Sequence, residues 1–289
     1  MAEKEQYKRP APHRFHMRQK RGGWAATLLL SGAAVLAVIL LFRMAEYRQA
    51  REEYAALAAM RVPEPMPMAT PAVSAPFKAA ATEAPSKSAL KRFPNAQIAA
   101  LKGQNSDAVG FIDIAGTDMR YPIVQGTDNA YYETHSFSKK RLASGAIFMD
   151  AWNAEDFSDF NTVIYGHHMK DGSMFSGLRE YRHDGFMRSH KYISIVTEYE
   201  ERQYKVFAAY ECGADMDFRG FAVAGAEEKQ AFINKLVRAS VITTNAEACA
   251  DDLILTLATC TGGVQDRYWI VHAVLLTGEK EEIDSVDGL

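Results

Sequence analysis

Apolar and polar positions alternate in three different ways along this chain. The first is a block: Trp24 to Phe42 (WAATLLLSGAAVLAVILLF) runs 19 positions without a charge. As a helix rising 1.5 Å per residue it would be about 28 Å long, close to the hydrocarbon thickness of a bilayer. The second covers residues 43–94. Its first part, RMAEYRQAREEYAALAAMR at 43–61, is rich in Ala, Glu and Arg and predicts a helix. Residues 62–94 then hold seven of the ten prolines among Ala, Ser and Thr. That composition cannot bury a core and predicts an extended, semi-rigid spacer.

From about Asn95 the pattern becomes short β-type runs: Val109–Ile114, Met119–Val124, Gly145–Met149, Thr162–Tyr165, Tyr192–Thr197, Gln203–Tyr210, Asp252–Thr259 and Tyr268–Leu276. Turn signals such as Ala115-Gly116, Gly126-Thr127-Asp128 and Asp171-Gly172 separate them. Eight strands without βαβ spacing predict a mainly β fold, closed or nearly closed into an eight-stranded barrel. Two helical interruptions are expected. One is Ser173–Tyr181; the other is Glu227–Ser240, with Phe232, Ile233, Leu236 and Val237 on one face. The expected organisation is a basic tail at 1–23, a transmembrane anchor at 24–42, a helix and Pro/Ala-rich linker at 43–94, and one folded domain at 95–289.

Charge adds an orientation. Residues 1–23 carry seven Lys/Arg against Glu3 and Glu5, a net of +5. A basic flank of this kind keeps the N-terminus cytoplasmic and puts everything after Phe42 outside. The apolar run exceeds the 7–15-residue core typical of a cleaved signal, which favours a retained, single-pass anchor in the cell membrane. The chain total of −3 leaves 95–289 with −11. The near-neutral total argues against a nucleic-acid binder that works by counterion release, and an acidic domain would not cling to anionic lipid.

Three cysteines cannot form a disulfide framework. Cys212 and Cys249 lack metal-ligand spacing and read as inert small residues. The acidic cluster Glu155, Asp156 and Asp159 lacks the oxygen-ligand loop pattern of a Ca²⁺ site. No metal or cofactor is expected.

The candidate chemistry lies elsewhere. Thr256-Leu257-Ala258-Thr259-Cys260 closes an alternating run (Leu253, Leu255, Leu257), so Cys260 ends a strand. Six residues later Arg267 opens the next run, RYWIVHAVLL. Paired as a hairpin, these strands bring Cys260 and Arg267 together at one rim of the barrel. A thiolate there can attack a carbonyl while the fixed cation stabilises the developing oxyanion. Arg267 titrates too high to act as a base. A proton carrier is also needed. His13 and His16 fall on the cytoplasmic side, and His272, alternating with Ile270 and Val274, reads as a strand residue. His167 and His168 end the strand Thr162–Tyr165 and open a loop, where a side chain can face a cleft. Spacing alone leaves this trio beside a bland alternative: an inert thiol, an exposed His pair and a surface ion pair.

TLATC followed by Arg267, with VIYGHHMKDGSMFSGL, GAIFMD at 145–150 and the helix EEKQAFINKL, resembles the class B sortases of Gram-positive bacteria. The likeness spans roughly residues 95–277. It implies a sortase-type barrel and a membrane-tethered cysteine transpeptidase. Such enzymes cleave a sorting signal near the C-terminus of a secreted protein through a thioacyl-enzyme. An amine, usually of the peptidoglycan precursor, then takes the acyl group. Carried over by position, Cys260 matches the nucleophile, His167 the general acid/base, and Arg267 the oxyanion or substrate-positioning arginine. Asn129, Ala258 and Thr259 match substrate-binding positions. Two departures concern the groove: the loop from Cys260 to Arg267 is shorter than in some class B members, and Glu133 stands where relatives often carry an apolar residue. Three other readings stay open: a pilin polymerase using a protein lysine, an endopeptidase releasing to water, and a wall-binding module with a relic site.

Overall fold

The computed structural model describes residues 23–60, 94–260 and 267–277. Most of the basic tail, almost all of the Pro/Ala-rich linker and the loop 261–266 lie outside the described residues. The chain divides into two compact units, Met1–Ala45 and Glu46–Leu289. Helix α1 (Gly23–Ala58) contributes to both. In the first unit Leu28 to Phe42 carry exposed Leu, Val and Ile side chains. This is the one helix among the described residues long and apolar enough to cross a bilayer.

The second unit is built on eight strands: β1 Ala108–Asp113, β2 Arg120–Val124, β3 Ile147–Met149, β4 Asn161–Tyr165, β5 Tyr192–Val196, β6 Glu201–Gly213, β7 Ile254–Cys260 and β8 Arg267–Leu275. They close in the order β1-β2-β3-β4-β7-β8-β6-β5. Closure pairs every strand on both sides, so no edge is left to recruit another chain. The expected mainly β, eight-stranded barrel is therefore the fold, with boundaries within a few residues of those read from the pattern. Most neighbours are antiparallel. Two pairs are parallel, β2 with β3 and β4 with β7.

Burial follows what covers each strand. In β5 only Ile193 and Ile195 are buried, the period-two pattern of a strand with one solvated face. In β1, Ala108 through Ile112 are all buried, because helix α2 (Ala96–Gln104) packs against that strand. Asn95 starts α2 by accepting hydrogen bonds from the amides of Gln97 and Ile98, and Ile98 and Leu101 turn inward. Helix α5 (Ala226–Ala239) buries Phe232, Ile233 and Leu236, but Val237 is 50% exposed. At 3.6 residues per turn Val237 lies about 140° round from Phe232, beyond the buried stripe. The predicted Ser173–Tyr181 helix is a 3₁₀ segment, Phe175–Arg182. Two short helices fill loops, α3 (Tyr131–Thr134) and α4 (Asp184–Ser189).

The end of α1 is part of this unit. Tyr54 and Leu57 belong to the barrel's hydrophobic cluster, and the Tyr54 ring meets Tyr121 edge-on at 5.5 Å. The pattern of residues 43–61 predicted the helix correctly; which of its residues pack on the barrel was outside what that pattern addresses.

His272 is more than a strand residue. It is fully buried, with Nε2 2.8 Å from the Tyr210 hydroxyl and Nδ1 2.8 Å from Thr256 Oγ1. Thr256 donates to Asn161 Oδ1 at 2.7 Å, so its oxygen is free to accept from Nδ1–H while Tyr210 donates to Nε2. Every member is satisfied with the imidazole neutral. Burial pushes its pKa down to about 3.

Candidate active site

The parallel pairing of β4 with β7 builds the site. Asn161 lies across from Ile254 and Tyr165 from Ala258, and Gly166 extends the ladder by donating its amide to the Ala258 carbonyl at 3.1 Å. His167 follows two residues after the end of β4, and Cys260 is the last residue of β7, two residues after Ala258. Gly166 has no room for a side chain. A Cβ there would collide with Ile147 Cδ1 and stand 2.7 Å from Phe175 Cδ2. Gly166→Ala is expected to cost about 1–3 kcal/mol of stability, the range for overpacking a filled interior. Urea denaturation would measure it, and an unchanged midpoint would contradict the close packing.

His167 is oriented by the backbone. Its Nε2 lies 2.7 Å from the Glu133 carbonyl in α3. A carbonyl only accepts, so Nε2 carries the proton and, in the neutral ring, Nδ1 is the nitrogen with the lone pair. Asp128 holds the start of α3 by accepting from the amides of Ala130 and Tyr131, each at 2.8 Å. His168 is placed differently. Its Nδ1 is buried with no hydrogen-bond partner among the described residues, and burial, with Arg179 nearby, pushes its pKa below the usual value.

A cleft of about 120 Å³ opens beside His167. Asn129, Ala258 and Thr259 line it, together with Glu133. The Asn129 side-chain oxygen is committed to the Ala151 amide at 2.8 Å, which leaves its NH₂ group as the donor available to a ligand. Thr259 Oγ1 is buried without a partner among the described residues.

Arg267 stands at the rim where the hairpin puts it, but its side chain is engaged elsewhere. β7 and β8 do pair, with Cys260 across from Tyr268, so Arg267 lies one position beyond that pair at the same end. Its Nε is bonded to Glu211 Oε1 on β6 at 2.6 Å, and its side chain is 47% exposed. Arg267 is absent from the lining of the cleft; Arg219 is present. Arg219 Nε donates to the Tyr165 hydroxyl at 2.7 Å, and Tyr165 donates to Asp150 Oδ2 at 2.8 Å. Sequence reasoning passed over Arg219 because it sits in the loop between β6 and α5, with no periodic pattern to point it anywhere. Among the described residues no cluster of His, Cys, Asp and Glu could hold a metal ion.

The family model of the sortase domain matches residues 112–276, more than half of the chain. The chain belongs to the sortase family. It is 36% identical over 160 residues to Sortase B of Listeria monocytogenes, a match covering 55% of this chain and 65% of that protein. The matched stretch thus spans just under two thirds of that relative. Among solved sortases, the Staphylococcus aureus sortase B–substrate complex is 30% identical and superposes with a TM-score of 0.61, over 65% of this chain and 88% of that one. Sortase B of Bacillus anthracis in complex with AAEK2 is 28% identical with a TM-score of 0.66, over 80% of this chain and 97% of that one. The class B resemblance read from the motifs is matched by each of these sortases.

Proposed function

We propose that the protein is a membrane-anchored cysteine transpeptidase of the class B sortase type. It cleaves the C-terminal sorting signal of a secreted protein and passes the acyl group to an amine of the cell-wall precursor. The observation that supports this reading most is the parallel pairing of β4 with β7 in a chain of the sortase family, since His167 follows the end of one strand and Cys260 ends the other. The α1 apolar segment and the basic residues before it support an N-in anchor, with the catalytic domain outside the cytoplasm.

In the proposed reaction Cys260 Sγ attacks the scissile carbonyl and forms the thioester carbon–sulfur bond. Electrons collapsing from the tetrahedral oxyanion expel the C-terminal fragment as an amine, and His167 supplies the proton that amine needs. The acceptor amine then attacks the thioester, gives its proton to His167 and returns the thiolate. Arg267 acts as a fixed charge on the oxyanion or the peptide. With Nε held by Glu211, its terminal nitrogens remain as donors. Asn129, Ala258 and Thr259 bind the peptide along the cleft.

The test uses a peptide taken from the C-terminal sorting signal of a candidate secreted protein, with and without hydroxylamine or a wall-precursor peptide. The expected result is faster cleavage with amine, amine in the product, and a covalent adduct of one acyl group on the enzyme. Cleavage indifferent to amine would favour the endopeptidase, and covalent ladders with a protein acceptor would favour the pilin polymerase.

A further inference from the structure

We propose that Tyr54, on the part of α1 within the barrel unit, is a positioning residue for His167 that acts through the backbone of residues 133–145. The proposal rests on reading His167 as the acid/base. Tyr54 is 5% exposed. Its hydroxyl donates to the Gly145 carbonyl at 2.6 Å and accepts from the Phe137 amide at 3.3 Å. At the preceding residue, the Glu53 carboxylate accepts from the Ser138 amide at 3.0 Å and the Ser136 hydroxyl at 3.2 Å. Helix α1 therefore grips both ends of the 136–145 excursion.

That excursion is tied to the helix holding His167. The Leu142 amide donates to the Thr134 carbonyl at 3.0 Å, and the Ala146 amide to the Tyr132 carbonyl at 2.9 Å. Between these two carbonyls lies that of Glu133, which accepts from His167. Gly145 lies beside the same spot, with no room for a side chain. Its φ is +54°, and a Cβ there would stand 2.6 Å from the Tyr132 oxygen and 2.7 Å from the Glu133 oxygen. Gly145 and Ala146 thus run alongside these carbonyls, and Ala146 is bonded to one of them, so displacing the Gly145 peptide displaces the acceptor that keeps the His167 proton on Nε2.

Tyr54→Phe removes one oxygen and leaves two buried backbone groups without their partner. Relaxation of those groups moves the Gly145 peptide. In the full-length protein labelled with ¹⁵N-histidine, the wild-type His167 ring should be the Nε2–H tautomer when neutral. Tyr54→Phe should shift it to a mixture, and kcat for a sorting peptide should fall about ten- to a hundredfold at unchanged KM, the scale of a small misplacement of a reacting group. Tyr181→Phe is the control: its hydroxyl is also in the core but donates to the His190 carbonyl. That variant should keep the wild-type tautomer whatever stability it loses.

A wild-type tautomer in Tyr54→Phe would overturn the proposal and reduce Tyr54 to a packing residue. The tautomer is read without turnover, so it decides the matter even if no peptide is cleaved and the transpeptidase reading fails. Should Tyr54→Phe not fold, Glu53→Ala loosens the half-exposed end of the same grip. A smaller shift in the same direction is expected there, and no shift would equally overturn the proposal.

Discussion

Replacing Cys260 by Ala is expected to lower turnover of a sorting-signal peptide at least about 10⁴-fold, the scale seen when a covalent catalyst loses its nucleophile. The thiol is the atom that would bond to the acyl group, and Ala offers nothing in its place. The barrel should survive the change, because β7 is held by Ile254 to Thr259, which are buried, and by ladders to β4 and β8. Neither of the other thiols is a substitute. Cys212 is buried, and burial, with Asp215 nearby, pushes its thiol up to about 11. Cys249 is exposed in the loop after α5, away from the cleft lining. Mass spectrometry after mixing with peptide should show an acyl adduct on wild type and none on Cys260→Ala. Retained turnover, or an adduct mapping to Cys249, would sink the assignment of Cys260.

The second large effect is on stability in acid. His272 is neutral inside the barrel with its pKa pushed down to about 3, against an ordinary value of about 6.5 in the unfolded chain. Above pH 6.5 both states are neutral and the residue contributes no pH dependence. Between 6.5 and 3 only the unfolded chain takes up the proton, so stability falls as pH falls. The loss approaches about 5 kcal/mol in total, and about 2 kcal/mol by pH 5, at 1.36 kcal/mol per pH unit. Urea denaturation of wild type and His272→Gln between pH 7.5 and 5 isolates this contribution, since the carboxylates are common to both. The variant starts from a lower stability but should lose about 2 kcal/mol less over that interval. Parallel curves would show that the acid sensitivity arises elsewhere.

The eight strands were legible because alternation records which face of each strand is covered. The turn signals between them mark where the chain must reverse. α2 left a trace in Asn95 followed by Ile98 and Leu101, but its nine residues are too few for a periodic pattern to stand out. Val237 was placed on the wrong face because an apolar stripe read from spacing is wider than the strip a neighbour actually covers. His272 looked like one more strand residue, since alternation shows that a position points inward without showing what it meets there. Its partners Tyr210 and Thr256, and Asn161 beyond Thr256, come from three other strands.

The residues with candidate chemistry were legible by type and order; their mutual placement was not. Local sequence determined that Cys260 ends a strand, that His167 follows one, that Arg267 opens the next, and that an uncharged segment precedes them all. Each of these is a statement about a few consecutive residues, and side-chain periodicity and turn chemistry act at that range. The tertiary structure decided that β4 and β7 lie side by side and parallel, although about 90 residues separate them. It also decided that Arg219 lines the cleft while Arg267 turns to Glu211, and that Tyr54 reaches the loop beside His167. Those outcomes depend on how eight strands share one closed interior, where the register of each pair is set by the packing of all the others.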